Sequence, residues 1–200
     1  MRERFRICLG AALPAALLLL IGSTEELAAI LLPALFHELG HLLALWLLGL
    51  HVRQIRVEMR GFCIEYYGGC SAVGHALAAA AGPLAGLAWG FAASALGVRL
   101  RVDWLSLSAG VSILLSLFNL LPALPLDGGR IVLALSCAAL GEKRGERVTE
   151  ALSLFVGAAL LACGFWLMLR RRGLAVLAAA IWLLLYQENG RGLVKRGEMI

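Results

Sequence analysis

Charged side chains are scarce in this sequence. Asp, Glu, Lys and Arg together make up 16% of its 200 residues, whereas 61% are hydrophobic and the mean hydropathy is +0.86. An average soluble domain carries about 25% charged residues. The composition therefore excludes an ordinary soluble domain and is typical of a polytopic membrane protein, whose spanning elements in lipid are helices.

Several signatures of other protein classes are also missing. The five cysteines form no C-x-x-C pair, so we interpret them mainly as small residues of membrane helices. No nucleotide-binding loop, internal repeat or soluble second domain is visible. The net charge of +5 comes with no dense basic stripe, so we expect no nucleic-acid partner. We expect residues 1–200 to form a single integral-membrane domain with its core at 24–135.

Apolar runs predict an all-α fold with about six transmembrane helices. The predicted spans are Ile7–Gly22, a second helix ending near Leu50, Ser71–Val98, Trp104–Leu121, about Val148–Leu169 and Gly173–Tyr186. The first run follows three arginines and also fits a signal peptide. Because no small-x-small cleavage site stands clearly at its end, a retained helix is favoured. Ser23 or Thr24 is expected to cap the second helix.

The segments between these spans have different characters. From His51 to Gly69, apolar and charged residues alternate, with a break at Gly61, which predicts a short interfacial β-hairpin after the second helix. Ile131–Leu140 is too short to span a membrane and predicts a partial helix. Gly141–Glu150 is expected to be a charged loop, and Gln187–Ile200 a polar tail.

The second apolar run contains the motif His37-Glu38-Leu39-Gly40-His41. Residues four apart lie on one face of a helix, so His37 and His41 project together. Two imidazoles at this spacing form half of a zinc site, and Glu38 is placed to act on a metal-bound water. A glutamate inside a membrane-length apolar run is costly, which favours a functional role.

A zinc hydrolase needs a third protein ligand. Position 47 is Leu, which excludes a metzincin pattern. His51 and His75 lie toward helix ends and are interpreted as interfacial. Asp127 is one of only two aspartates and follows a stretch broken by two prolines. It fits either a turn residue before Gly-Gly or the third ligand, and beside the histidine motif the ligand role is favoured.

These motifs together resemble one protein family. His37-Glu38-Leu39-Gly40-His41, Ala81-Gly82-Pro83 and the stretch from Asn119 to Arg130 are similar to the site-2 protease family of intramembrane zinc metalloproteases. The specific resemblance covers about residues 25 to 135, and its nearest branch is the bacterial stage IV sporulation FB-type. Members of that branch often carry a C-terminal regulatory domain, which we do not expect here.

The resemblance implies a set of roles. His37, His41 and Asp127 would bind one Zn²⁺, Glu38 would be the general base and acid, and Asn119 is a candidate substrate or oxyanion contact. The implied activity is hydrolysis of a peptide bond in or near a transmembrane segment of a membrane-tethered protein. A sigma-factor precursor or an anti-sigma factor is the implied substrate class, and a membrane inhibitor or regulatory partner is implied as well.

The distribution of basic residues predicts an orientation. With the N- and C-termini in the cytoplasm, 13 of the 18 Lys and Arg residues fall on the inside, and the other five are Arg99, Arg101, Arg170, Arg171 and Arg172. This arrangement puts His37, His41 and Asp127 nearer the cytoplasmic side of a multi-pass protein in the cell membrane.

The opposing interpretation is a non-catalytic membrane protein, either a transporter or a degenerate protease scaffold. A transporter of the inverted-repeat kind has paired broken helices in two halves of the chain. Here one broken segment is visible. A degenerate scaffold would be expected to lack Glu38 or a ligand, and all four residues are present.

Overall fold

The computed structural model describes residues 5–7, 23–58, 61–170 and 174–194. Six helices and three strands occupy them. The strands are β1 (Phe5–Ile7), β2 (His51–Glu58) and β3 (Gly61–Tyr67). The helices are α1 (Thr24–Leu47), α2 (Ala72–Leu100), α3 (Asp103–Asn119), α4 (Asp127–Leu140), α5 (Glu142–Leu169) and α6 (Leu174–Val194).

The chain divides into two compact units. Among the described residues, the first contains 5–7, 23–58, 61–70 and 77–119, and the second contains 71–76, 120–170 and 174–194. The strands, α1, α3 and most of α2 therefore belong to the first unit. Helices α4, α5 and α6 belong to the second.

Local sequence signals fix both ends of α1. Ser23 accepts the Glu26 N–H while the Glu26 carboxylate accepts the Ser23 N–H, a capping box that begins the helix. At the other end, Gly49 has φ +71° and Leu50 N–H donates to the Leu45 carbonyl, so the helix stops in a glycine-dependent cap. The predicted cap at Ser23 is confirmed.

The predicted hairpin is confirmed as the antiparallel pair β2–β3, with a register shift between Val52 and Gln54. The strand β1 pairs in parallel with β2 and was not predicted. Ile64 and Tyr66 of β3 pack with Leu45 of α1 and Ala78 of α2 in one buried cluster. The hairpin is therefore anchored to the two helices on which the histidine pair depends.

Within the part of the chain that the structure describes, three helices, α1, α2 and α5, are long and apolar enough to cross a membrane. Shorter apolar helices are α3 and Leu174–Leu185 of α6. Many of their large apolar side chains are exposed, as expected of surfaces that face lipid. Most of the predicted first span, residues 8–22, lies outside the described residues, and Ile7 is in β1; six spans are not confirmed.

Two predicted boundaries are wrong in the second unit. The expected charged loop 141–150 is the first part of α5, because only Gly141, with φ +82°, separates α4 from α5. The expected polar tail is helical as far as Val194. Charge predicted a loop, but Glu, Lys and Arg are good helix formers.

Candidate metal site

The histidine pair is buried on α1. His37 and His41 are only 5% and 3% exposed. Their Nε2 atoms lie 3.3 Å apart. Two nitrogens bound to one tetrahedral zinc at Zn–N distances of about 2.05 Å would be separated by about 3.3 Å. The imidazole pair therefore stands at the spacing that a shared tetrahedral metal requires.

A backbone carbonyl of α2 orients His41. The Nδ1 of His41 lies 2.8 Å from the Ala78 oxygen. Because a carbonyl oxygen only accepts, Nδ1 carries the proton. A neutral ring in this tautomer has its lone pair on Nε2, the atom that lies near His37. A bond of this kind on the far ring nitrogen is the usual way in which a protein fixes a metal-binding tautomer.

Glycine allows α1 and α2 to approach this closely. A Cβ at Gly40 would overlap the Ala81 carbonyl oxygen, and a Cβ at Gly82 would overlap the His41 ring at Nε2. Gly82 thus forms one wall of the His41 position. The absence of a side chain at Gly82 therefore makes room for a candidate ligand as well as for close helix packing.

Aromatic contacts brace the residue before the first histidine. Phe36 stacks on Trp89 with ring centroids 4.3 Å apart and planes 9° from parallel. The Trp89 indole N–H donates to Ser108 Oγ at 3.0 Å. This chain of contacts links α1, α2 and α3, so the helix that carries His37 is held by both neighbours.

Asp127 is the first residue of α4 and is 6% exposed. The sequence had suggested a broken helix end; the helix in fact restarts at this residue. Gly128 and Gly129 follow because the preceding segment folds back over the first turn. A Cβ at either position would overlap backbone atoms of residues 120–124. The two glycines therefore set the position from which Asp127 projects.

The candidate ligand atoms of His37, His41 and Asp127 all lie within 4.8 Å of one another. Two imidazole nitrogens and one carboxylate oxygen are a donor set that zinc accepts, with a fourth position left for water or substrate. The three residues that the sequence singled out are therefore close enough to bind one metal ion.

The other two predicted site residues, Glu38 and Asn119, do not belong to the group of three candidate metal ligands. Glu38 is half-buried and follows His37 on α1. Since each helical residue advances by about 100°, Glu38 lies about 60° around the helix from His41. Asn119 ends α3, and its Nδ2 donates to the Leu115 carbonyl at 3.1 Å. Nothing in this geometry assigns Asn119 a catalytic role.

Cysteine does not contribute to the metal-binding group formed by the described residues. Cys70, Cys137 and Cys163 are free. Burial, reinforced by Glu146 and Glu142, raises the pKa of the Cys137 thiol. A raised pKa leaves less thiolate at neutral pH, so this thiol is a poor metal ligand and nucleophile.

Replacing Gly82 by Ala is expected to displace the His41 ring, because the added methyl group would occupy the position of Nε2. Overpacking of this kind costs about 1–3 kcal/mol. We expect a lower unfolding temperature in detergent and a loss of bound metal, measured by elemental analysis. Gly110→Ala is the control, since a Cβ at Gly110 meets nothing within 4 Å. Equal metal content in the two variants would contradict the role of Gly82.

Comparison with known proteins finds matches to one protein family and to solved structures. The model of Peptidase family M50 matches residues 101–164, a segment that includes Asn119 and Asp127 but not the histidine pair. None of the curated proteins matches the sequence. The family match does not separate the sporulation FB-type branch from other branches, and assignment to that branch stays a prediction.

Among solved structures, the fold matches the Site-2 Protease from Methanocaldococcus jannaschii with a TM-score of 0.69. The match covers 94% of this chain and 92% of that chain, at 18% sequence identity. Identity this low establishes similarity of fold alone. The chain is thus similar in fold to a site-2 protease, and it matches Peptidase family M50 over the segment that carries Asp127.

Proposed function

We propose that this protein is an intramembrane zinc metalloprotease that hydrolyses a peptide bond in or near a transmembrane segment of a membrane-tethered protein. The observation that carries the proposal is the buried group of His37, His41 and Asp127 in a chain of membrane-length apolar helices. Burying ionisable side chains inside an apolar fold costs free energy, so their presence favours a functional role. The family match and the fold similarity support the same class of enzyme.

Each residue of the site has a proposed role. His37, His41 and Asp127 would hold a single Zn²⁺. When bound, zinc supplies the Lewis acidity that activates water and polarises a peptide carbonyl. The Glu38 carboxylate would accept a proton from the attacking water and later donate it to the leaving amine. Its place one residue after His37 on the same helix keeps it within the turn that carries the ligands.

Asn119 is proposed to contact the substrate carbonyl. Its amide nitrogen now donates to Leu115 O within α3. A substrate contact therefore requires either rotation of the Asn119 side chain or use of its second N–H. Loss of the Asn119 amide is expected to matter less than loss of Glu38, because zinc would stabilise the same oxygen.

The β-sheet offers a way to hold an unwound substrate. A helical peptide shields its scissile bond, so the substrate must become extended before it is cut. In the order β1–β2–β3 of the described strands, β3 lies at an edge of the sheet. An extended peptide could add to this edge. Ile64 and Tyr66 anchor β3 to Leu45 and Ala78 beside the histidine pair.

Finer features of the function are proposals from resemblance and charge. The substrate would be a sigma-factor precursor or an anti-sigma factor, with a membrane inhibitor or regulatory partner and with no role for nucleic acid. Both termini would be cytoplasmic and the site nearer that side.

Cysteine labelling at positions 25 and 143 tests this orientation, which places the two positions on opposite sides of the membrane. Labelling of both positions from the same side would contradict the orientation.

Metal removal tests the proposed function. The purified protein is expected to contain one zinc per chain and to cut a transmembrane substrate. A zinc chelator such as 1,10-phenanthroline should reduce cleavage to background, and added Zn²⁺ should restore it. Zinc-independent cleavage, or stoichiometric zinc with no cleavage of any membrane-tethered substrate, would favour the alternative of a transporter or non-catalytic scaffold.

A further inference from the structure

The unwound segment between α3 and α4 is hydrogen-bonded to α5, a contact that no sequence motif predicted. The Leu124 N–H donates to Ser153 Oγ at 2.9 Å. Ser153 in turn donates to the Thr149 carbonyl at 2.7 Å. Ser153 is only 2% exposed. A helical serine commonly bonds back to its own helix, but this hydroxyl also accepts from another segment.

Further contacts hold residues 120–126 against the first turn of α4. The Arg130 side chain donates through Nε to the Pro125 carbonyl at 3.2 Å, and the Leu126 N–H donates to Ala123 O at 2.9 Å. The backbone of residues 120–124 rests against Gly128 and Gly129. A displacement of Leu124 would therefore carry Asp127 with it.

The hydrogen bond from Leu124 to Ser153 differs from these contacts, because it joins residues 120–126 and the first turn of α4 to α5. Without it, the Leu124 N–H would lose its acceptor in an apolar setting, where an unsatisfied backbone donor is unfavourable. The segment would then move to find another partner. A carboxylate that must share a metal with two imidazoles tolerates little such movement.

We propose that Ser153 is a positioning residue for Asp127: its hydroxyl holds the Leu120–Leu126 segment on α5 and so fixes where the carboxylate meets the metal. This inference rests on the proposed function, since it assumes that Asp127 is a ligand. It assigns a role to a residue outside every motif, 26 positions beyond Asp127.

The test measures the metal site directly rather than cleavage. Zinc affinity is measured by competition with a chromogenic chelator, and the visible absorption of the cobalt-substituted protein reports ligand geometry. We expect Ser153→Ala to bind zinc about 10-fold more weakly, as for loss of an outer contact that orients a ligand, and to alter the cobalt spectrum. Ser153→Thr keeps the hydroxyl and should restore both values.

Thr149→Val is the matched control. Thr149 is fully buried one turn earlier on α5, and its hydroxyl donates to Gly145 O within the same helix. Its loss should leave zinc affinity and the cobalt spectrum at wild-type values. If Ser153→Ala folds poorly, Ser153→Cys preserves the volume with a weaker acceptor and should weaken zinc binding in the same direction.

Two results would overturn the inference. One is zinc affinity within twofold of wild type in Ser153→Ala and Ser153→Cys; the other is an equal loss of affinity in Thr149→Val, which would indicate a general packing effect. In either case, zinc binding by the wild type and its loss in His41→Ala would leave the proposed function intact. A wild-type protein that binds no zinc would refute both proposals.

Discussion

Replacing Glu38 by Gln is expected to leave zinc bound and to slow cleavage by about 100- to 10,000-fold, the usual contribution of a positioned general base. Gln has nearly the shape of Glu but cannot accept the proton that water loses. Because Glu38 is outside the group of three ligand residues, its replacement should not remove the metal. Zinc content and the rate of cleavage of a transmembrane substrate, measured on the same preparation, separate the two effects.

Glu25→Gln provides the comparison for this variant. Glu25 is an exposed acid in the first turn of the same helix, so its loss removes one carboxylate from α1 without touching the site. Its cleavage rate should equal that of the wild type. Wild-type cleavage by Glu38→Gln would show that another group takes the proton, and would remove Glu38 from the mechanism.

Asp127→Ala is expected to weaken zinc binding by more than about 100-fold. Loss of a residue that only orients a metal ligand typically lowers metal affinity 10- to 100-fold. Loss of a direct ligand should lower it further. Two imidazoles would remain, with no carboxylate to balance the charge of the ion. The measurement is zinc retained after dialysis against a chelator of known affinity, together with the dissociation constant.

Asp103 is the other aspartate of the sequence and serves as the control. It is exposed at the start of α3, as Asp127 stands at the start of α4, so Asp103→Ala also removes an acid from a first helical turn. It should keep zinc at wild-type affinity. Full zinc affinity in Asp127→Ala would show that the third ligand is a different residue.

The histidine half of the site could be predicted because its geometry is local. A spacing of four residues places His37 and His41 on one helical face whatever the rest of the chain does. The structure keeps that face and adds the 3.3 Å separation of the Nε2 atoms. Asp127 could be selected by elimination, since aspartate is so rare here, but its place at the beginning of a helix could not.

What the sequence did not reveal depends on contacts between distant residues. The bonds from His41 to Ala78 and from Leu124 to Ser153 join residues 37 and 29 positions apart. No periodicity signals such pairs. The Ala81-Gly82-Pro83 motif was a usable signal for Gly82, but small residues in membrane helices have many packing roles.

The predicted element boundaries were wrong where the conformation of a single residue decides the path of the backbone. Gly141 both ends α4 and precedes α5, so the charged stretch after it continues as helix. The parallel pairing of β1 with β2 likewise needs a partner fifty residues away, and three residues are too few to show an alternation pattern.

The hydrogen bond from His41 to Ala78 has a consequence for how metal is bound and released. The ring is fixed at Nδ1 and confined beside Gly82, so its rotational freedom is lost during folding and not during metal capture. A ligand ordered in advance binds with a smaller entropic cost. It also cannot swing aside to let the ion go, so zinc, once captured, should exchange slowly with solution.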